Sequence, residues 1–244
     1  KNIKHIKLCL ILAVYLNLWG EKMANLIISL DITEEEKMDF IIEKTENYVG
    51  WYKIGPVAFL KFGFSLIEKL KKKNKKIFFD FKFFDIPNTV KNAVRNCCDI
   101  GIDMISLHIL GGQEMIKEAI EERDKTNKIT KLIGITVLTS LTENDFGFSN
   151  IKELVSILGE NAFNWGLDGV VVGGEEISVL RKYPYLLVVP GIRLKKENDD
   201  QQRIITPKQA VKEGADFIVV GRPVYDSKEP EDCVKKILQE IKNG

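Results

Sequence analysis

The sequence has few of the side chains that bind zinc or form structural disulfides. Its 244 residues include two histidines and four cysteines, Cys9, Cys97, Cys98 and Cys233. No two cysteines have the C-x-x-C spacing of zinc sites, and adjacent cysteines are poor disulfide partners. We therefore expect reduced thiols, no metal site and a location in the cytoplasm.

An excess of charge of one sign is also missing. The 36 Lys and Arg residues nearly balance the 35 Asp and Glu residues, which leaves a formal net charge of +1. Proteins that bind nucleic acids usually carry a clustered basic excess, so we expect no nucleic-acid partner. An anionic ligand would have to be bound by a local group of cations.

Long apolar runs are missing too, except near the amino terminus. Residues 8–16 follow a basic start and resemble the core of a signal peptide, but no cleavage motif follows. The run is too short to span a membrane comfortably, so we expect no membrane partner; a membrane-tethered form is the alternative. Met23 opens a stretch typical of a natural protein start. We interpret residues 1–22 as an extension without a catalytic role and residues 23–244 as one domain.

From residue 26 onward, short β-rich apolar runs alternate with polar segments of helical periodicity. The predicted strands are Leu26–Asp31, Trp51–Gly55, Lys76–Phe83, Met104–Ile109, Lys131–Leu138, Gly169–Gly173, Leu186–Ile192 and Phe217–Gly221. The predicted helices are Glu34–Val49, Val57–Lys73, Thr89–Ile100, Gln113–Lys125, Ile151–Trp165, Glu175–Tyr183, Pro207–Gly214 and Pro230–Lys242. This alternation is typical of an α/β protein with a parallel sheet. Eight units in this length favour a single-domain (β/α)₈ TIM barrel over an open doubly wound sheet.

The functional residues of such a barrel lie at the carboxyl ends of its strands. The stretch "DFKFFDIPNTV" begins at Asp80, near the end of the third predicted strand. Because side chains alternate between faces, Asp80 and Lys82 should face the barrel mouth. The opposite face, toward the helices, carries Phe79, Phe81 and Phe83.

Asp80 and Lys82 are about 6.5–7 Å apart along a strand, which would leave room for a small ligand group between them. A buried salt bridge is a weak alternative, because two desolvated ions gain little over a packed apolar pair. Lys53, in "WYKIG", is a second lysine that would need an anion nearby. These charges favour a reacting centre.

Two further aspartates could instead be helix caps. For Asp31 this explanation is weakened by Thr33 and Glu36, which form a T-x-x-E capping box and leave Asp31 free. Asp85 lies off the parity of Asp80, and "DIPN" could start a helix with Asp85 as the N-cap and Pro87 in the first turn. Spacing alone leaves the role of Asp85 open.

The last two predicted strands carry features suited to an anion such as phosphate. Gly191 and Gly221 allow a close approach of the backbone, and Arg193 and Arg222 carry planar, permanently charged groups. Residues 194–203 are polar, lack a core pattern and suit a mobile lid. The alternative is a solvated loop with arginines on the rim.

Together these motifs resemble the orotidine 5'-monophosphate decarboxylases of the short bacterial-like type. The resemblance covers residues 26–242 and rests on "DFKFFDIPNTV", "PGIR", "DQQRIITP" and "VVGRPVY". D-x-K-x-x-D alone also marks phosphosugar decarboxylases and hexulose-phosphate synthases, which need Mg²⁺, whereas "DIPNT" and the "DQQR" lid favour the nucleotide enzyme. A catalytically inactive nucleotide-binding barrel is a further alternative, against which the complete charged set argues.

The resemblance implies loss of CO₂ from orotidine 5'-monophosphate to give uridine 5'-monophosphate, without a cofactor and with Lys82 protonating the C6 carbanion. It implies a catalytic network of Lys53, Asp80, Lys82 and Asp85, in which Asp85 comes from the neighbouring subunit of a homodimer together with Ile86 and Thr89. The implied substrate-binding residues are Asp31, Lys53, Ile86, Thr89, Thr139, Arg193, Gln201, Gly221 and Arg222. Ser140 is a less favoured alternative to Thr139, and Gln202 is an alternative to Gln201 because the lid is about one residue shorter than usual.

Overall fold

The computed structural model describes residues 24–142, 150–194 and 205–244. Its eight strands form a closed parallel barrel, in which each strand pairs with the next and the last pairs with the first. The strands are β1 Asn25–Ser29, β2 Trp51–Ile54, β3 Lys76–Phe83, β4 Met104–His108, β5 Lys131–Ile135, β6 Gly169–Val171, β7 Leu186–Val189 and β8 Phe217–Val220. The predicted (β/α)₈ barrel is confirmed.

Helices follow the strands throughout the described ranges. They are α1 Glu35–Thr45, α2 Pro56–Lys72, α3 Pro87–Asp99, α4 Gly112–Thr126, α5 Ile151–Trp165, α6 Ile177–Leu180, α7 Pro207–Glu213, α8 Arg222–Tyr225 and α9 Pro230–Lys242. Single 3₁₀ turns lie at Ile109–Gly111 and Gly174–Glu176. The sequence did not predict the short helix α8, and α1 and α6 end earlier than expected. No helix in these ranges is long and apolar enough to cross a membrane.

Seven of the eight strands end before their predicted carboxyl ends, and β3 alone ends where expected. The last predicted residues lie beyond the strands and begin the loops of the barrel mouth, although the N–H groups of Leu30 and Val172 still donate to the carbonyls of Lys53 and Val188 at 2.9 and 3.1 Å. Asp31 follows β1 in this way, and Gly191 follows β7 with a φ of 74° that favours glycine. The sequence pattern extended too far because several residues after the strands, such as Val137, Val172 and Ile192, continue their apolar character.

Apolar side chains fill the inside of the barrel and the layer between the barrel and its helices. The inner group consists of Ile27, Phe78, Met104, Ile133, Val188, Phe217 and Val219. Along β1, Ile27 belongs to this inner group, whereas its neighbours Leu26 and Ile28 belong to the outer layer. This alternation is the strand parity on which the site prediction depends.

Phe79 and Phe81, on the outer face of β3, pack on α2, which agrees with the prediction that this face meets the helices. The Phe59 ring of α2 meets the edges of Phe79 and Phe81 at centroid distances of 5.3 and 5.4 Å. Phe79 and Phe81 stack on each other at 4.0 Å. Because this face is occupied by rings, Asp80 and Lys82 project to the opposite side, into the barrel.

The predicted capping box at Thr33 is wrong, and the alternative of Asp85 as an N-cap is excluded. Helix α1 has Glu34 as its N-cap, in an extended conformation and without a side-chain cap hydrogen bond, so Thr33 lies one residue too early to cap it. Helix α3 has Ile86 as its N-cap, not Asp85. Because Pro87 restricts the residue before it to an extended conformation, Ile86 takes the cap position.

The cysteines that fall within the described ranges are Cys97, Cys98 and Cys233, and they form no disulfide there. All three are buried. Burial raises the pKa of the Cys97 thiol to about 12, so this side chain is a protonated, unreactive part of the core. Cys9 lies outside the described residues.

Candidate active site

A cavity of about 280 Å³ opens at the carboxyl ends of the strands. Apolar side chains such as Phe78, Ile135 and Val188 form part of its lining. Eight predicted site residues also line it, namely Asp31, Lys53, Asp80, Lys82, Thr139, Arg193, Gly221 and Arg222. These eight predicted site residues therefore gather at the end of the barrel where the fold places functional residues.

Four of these side chains form a row of alternating charge. The Lys53 Nζ atom lies 3.2 Å from Asp31 Oδ2 and 3.5 Å from Asp80 Oδ2. The Lys82 Nζ atom lies 2.8 Å from Asp80 Oδ2. The predicted space for a ligand group between Asp80 and Lys82 is therefore wrong, because the long lysine side chain folds back onto the carboxylate. The Lys82 side chain is still 36% exposed, so its ammonium lies at the cavity surface.

Asp80 is a buried carboxylate placed between two ammonium groups. It is only 7% exposed, and burial alone would raise its pKa. The charges of Lys53 and Lys82 outweigh this cost and hold the pKa of Asp80 below its ordinary value of 3.8. Asp80 is therefore ionised at neutral pH and keeps a fixed negative charge beside Lys82.

The backbone at Lys82 departs from a regular strand. Phe79 pairs with Ile105, but the next pair joins Phe83 to Leu107, so four steps along β3 match two steps along β4. Lys82 lies inside this bulge and has a φ of 50°. Such a left-handed conformation costs about 1–3 kcal/mol for a residue with a side chain. Bulges near active sites commonly redirect a side chain, and this one lies at Lys82.

Two polar residues of β4 that we did not predict lie next to this bulge. The wholly buried Ser106 accepts the backbone N–H of Lys82 at its Oγ atom, at 2.8 Å. His108 follows on the same face of β4, and burial and the charge of Lys82 both lower its pKa. The histidine is therefore uncharged at neutral pH. The sequence signal that could have predicted both residues is their spacing of two and four from Met104, which places them on the inward face of β4.

Ser29 and Gly55 lie next to Asp31 and Lys53, the first ion pair of the row. The Ser29 Oγ atom donates a hydrogen bond to Asp31 Oδ2 at 2.6 Å. A Cβ atom at Gly55 would lie 3.0 Å from Asp31 Oδ1 and 3.2 Å from Lys53 Nζ. A larger residue at this position would therefore press on the ends of both side chains of this ion pair. Ser29 shares the inward parity of Ile27, which is the signal that could have predicted it.

The cations expected to bind an anion also line the cavity, on the segments that follow β7 and β8. Arg193 is 5% exposed, and its backbone N–H donates to the carbonyl of Ile205 at 3.1 Å. Arg222 begins α8, and Tyr225 ends it with its ring at the cavity. Burial, followed by the charges of Asp31 and Asp226, raises the pKa of the Tyr225 hydroxyl, which therefore stays protonated. We did not predict a role for Tyr225.

Asp85, Ile86 and Thr89 do not line the cavity of their own chain. All three are exposed, and the Asp85 Oδ1 atom accepts the backbone N–H of Ile86 at 2.7 Å. Thr139 and Ser140 both line the cavity, so the geometry does not separate these two alternatives.

The two lid glutamines, Gln201 and Gln202, lie outside the described residues. In the ranges that are described, no group of three or more His, Cys, Asp or Glu side chains is placed to hold a metal ion.

Comparison with known proteins places this site in a family. A family model described as orotidine 5'-phosphate decarboxylase / HUMPS family matches residues 24–237. A relative from Lawsonia intracellularis, named orotidine 5'-phosphate decarboxylase, is 39% identical over 228 residues, which cover 90% of this chain and 100% of the relative. A relative of the same name from Carboxydothermus hydrogenoformans is 37% identical and covers 88% of this chain and 95% of its own.

A solved structure agrees with these sequence matches. The crystal structure of orotidine 5'-phosphate decarboxylase from Lactobacillus acidophilus superposes with a TM-score of 0.77 at 32% identity, over 89% of this chain and 99% of that chain. Fold, sequence and motifs agree along nearly the whole length. The chain belongs to the orotidine 5'-phosphate decarboxylase / HUMPS family, as its motifs predict.

Proposed function

We propose that this chain removes CO₂ from orotidine 5'-monophosphate to give uridine 5'-monophosphate, without a cofactor or a metal ion. The observation that carries the proposal is the buried Asp80 carboxylate between the ammonium groups of Lys53 and Lys82, in a cavity that two arginines also line. Full-length relatives that bear this enzyme's name support the choice of substrate.

The substrate spans the cavity from the charged row to the arginines. Its phosphate is the natural partner of the guanidinium groups, and its ribose hydroxyls that of the first ion pair of the row. The proposed contacts are Asp31 and Lys53 for ribose, Thr139 for the pyrimidine, Gln201 for pyrimidine and phosphate, and Arg193, Gly221 and Arg222 for the phosphate.

The chemical step leaves an electron pair on C6 when the bond to the carboxylate breaks. This pair lies in the plane of the ring, so the π-system cannot delocalise it and the protein must stabilise it electrostatically. Lys82 faces this carbon, donates a proton to form the new C6–H bond and is then reprotonated from solvent. Asp80 keeps Lys82 charged and oriented.

The size of this stabilisation can be compared with what the reaction needs. One ammonium about 4 Å from a unit negative charge contributes about 4 kcal/mol at an effective dielectric constant near 20, which is about three decades of rate. The slowest uncatalysed reactions need far more. The remainder comes from preorganisation and desolvation, which binding at the distant phosphate drives.

A homodimer completes the proposed site. Large apolar side chains are exposed on α2 and in the segment between β3 and α3, among them Leu60 at 85%, Phe84 at 61% and Ile86 at 66%. A contiguous patch of exposed apolar side chains is typical of a surface that another protein covers. Asp85 lies between Phe84 and Ile86 in the sequence. A second copy that binds to this surface therefore places its cavity next to Asp85 of the first copy. Ile86 and Thr89 reach that cavity in the same way.

The decisive assay follows the absorbance of orotidine 5'-monophosphate with the purified chain, with and without EDTA. We expect the same rate of loss in both, with Lys82→Ala as the inactive control. A rate abolished by EDTA and restored by Mg²⁺ would instead favour the metal-dependent phosphosugar enzymes of the same family. No loss of substrate in either condition would refute the proposed function.

Mixing two inactive variants tests the shared site. A mixed dimer of Lys82→Ala and Asp85→Ala chains has one site with both lesions and one intact site. A statistical mixture should therefore regain roughly one quarter of wild-type activity. Mixing Lys82→Ala with Lys53→Ala is the matched control and should regain none, because each chain damages its own site. No recovery in the first mixture would contradict the lending of Asp85.

The proposal includes the role of the amino-terminal segment and the cellular location of the protein. We assign catalysis to residues 23–244, no catalytic role to residues 1–22 and a cytoplasmic location to the protein. A chain that starts at Met23 should keep full activity, and fractionation of cells should place the activity in the soluble extract. Loss of activity on truncation, or activity in the membrane fraction, would contradict these assignments.

A further inference from the structure

The bulge in β3 removes the Lys82 amide from the hydrogen bonds of the sheet. Ile105 and Leu107 of β4 are paired with β3, and Ser106 between them faces the bulge. The Ser106 Oγ atom accepts the displaced N–H of Lys82 at 2.8 Å. A buried amide without a partner is strongly disfavoured, so this hydroxyl takes the place of the missing carbonyl.

The hydroxyl of Ser106 can serve two neighbours at once, because it has one proton and two lone pairs. While one lone pair accepts from Lys82, the proton is available to the Asp80 carboxylate. Burial raises the pKa of Asp80, Lys53 and Lys82 lower it, and the Ser106 hydroxyl lowers it further. The contact does not reach full hydrogen-bond geometry at Asp80 Oδ1, which is buried and has no partner. The firm contact is the one to the Lys82 backbone.

We propose that Ser106 is a positioning residue, whose hydroxyl holds the Lys82 backbone in its left-handed conformation and thereby aims the ammonium at Asp80 and the cavity. The effect on rate rests on the proposed function of Lys82, whereas the effect on conformation does not. A left-handed residue persists only where its surroundings determine it, and the Ser106 contact is a specific constraint at this position. With Ser106 removed, the Lys82 backbone relaxes and Nζ moves away from Asp80 Oδ2.

The test compares Ser106→Ala with a control that removes another buried hydroxyl. Thr130→Val is suitable, because Thr130 is wholly buried and its Oγ1 donates to the Ile102 carbonyl at 2.7 Å, just before β5 at the opposite end of the barrel. For Ser106→Ala we expect kcat to fall about 10- to 100-fold with KM within about threefold, as expected when a reacting group is misplaced by about 1 Å. For Thr130→Val we expect a lower Tm and an unchanged kcat.

A crystal structure of Ser106→Ala gives a second measurement that does not depend on activity. We expect Lys82 to lose its positive φ or its 2.8 Å contact with Asp80. An unchanged Lys82 in that structure, or a kcat equal to that of Thr130→Val, would overturn the proposal. If the wild-type chain does not decarboxylate the nucleotide, the proposed function fails, and the crystal structure alone decides whether Ser106 holds Lys82.

Discussion

The two sides of the cavity are built differently. The side with Lys53, Asp80 and Lys82 belongs to two neighbouring strands of the barrel, and contacts of 2.8–3.5 Å join its charges to one another. The side with Arg193 and Arg222 belongs to segments that follow the strands, where the backbone N–H of Arg193 donates to Ile205, the partner in an isolated bridge, and Arg222 begins α8. The groups that we propose to react are thus held by the sheet, whereas those that we propose to bind the phosphate lie in the segment after β7 and at the start of α8.

This difference separates two kinds of effect. A change on the strand side should remove the chemical step and leave nucleotide binding measurable, because the phosphate is bound elsewhere. A change on the loop side should lower kcat/KM through the binding energy that assists the reaction. Substitutions on each side test whether the chemical step and phosphate binding are separate in this way.

The largest effect is expected for Lys82→Ala. The substitution removes the ammonium beside the carbanion, worth about three decades, and the proton donor, worth at least about two more, so turnover should fall at least about 10⁵-fold. Calorimetric titration should still detect binding of uridine 5'-monophosphate. Substantial residual decarboxylation would contradict the role of Lys82 as proton donor, and loss of all binding would contradict the separation of the two sides.

On the loop side, Arg222→Ala should lower kcat/KM by about 10²- to 10⁴-fold, since two charged hydrogen bonds of about 1.5–3 kcal/mol each are lost. Arg181→Ala is the matched control, because Arg181 is an exposed arginine away from the cavity, and its kcat/KM should be unchanged. Near-normal kinetics in Arg222→Ala would refute the phosphate assignment.

A smaller loss of activity is expected when the proposed dimer is disrupted, and it shows whether the site needs a residue of the neighbouring subunit. Leu60→Asp places a charge on the apolar surface of α2 and should shift the chain to a monomer in gel filtration, with activity at least about tenfold lower at low concentration. Ile129→Asp is the control, since Ile129 is an apolar residue that is 77% exposed just before β5. A fully active Leu60→Asp monomer would show that the neighbouring subunit lends nothing.

The sequence predicted the barrel and most of the site because both depend on periodicity. Alternating strands and helices specified the fold, and strand parity placed Asp80 and Lys82 at the mouth. Parity could not reveal the bulge, because the positive φ of Lys82 arises from the pairing of β3 with β4 and not from local propensity. For the same reason the contact between Lys82 and Ser106 was not predicted.

The start of α3 is the opposite case, because a local sequence rule alone decides which residue is the N-cap. Pro87 restricts Ile86, which was enough to move the cap away from Asp85. The helix α8 and its Tyr225 were missed because a helix of four residues has no detectable periodicity. The lid glutamines remain predictions.

The smallest effect concerns the stability of the strand side, through Asp80→Asn. The pKa of Asp80 is held below 3.8 in the folded chain, so its ionised form stabilises the fold above this value and the contribution is lost as the pH falls through the folded-state pKa. The free energy of unfolding of the wild type should therefore decrease more steeply between pH 5 and about pH 3 than that of Asp80→Asn. Urea unfolding at several pH values measures both slopes. Parallel slopes would show that Lys53 and Lys82 do not stabilise the Asp80 charge in the folded chain.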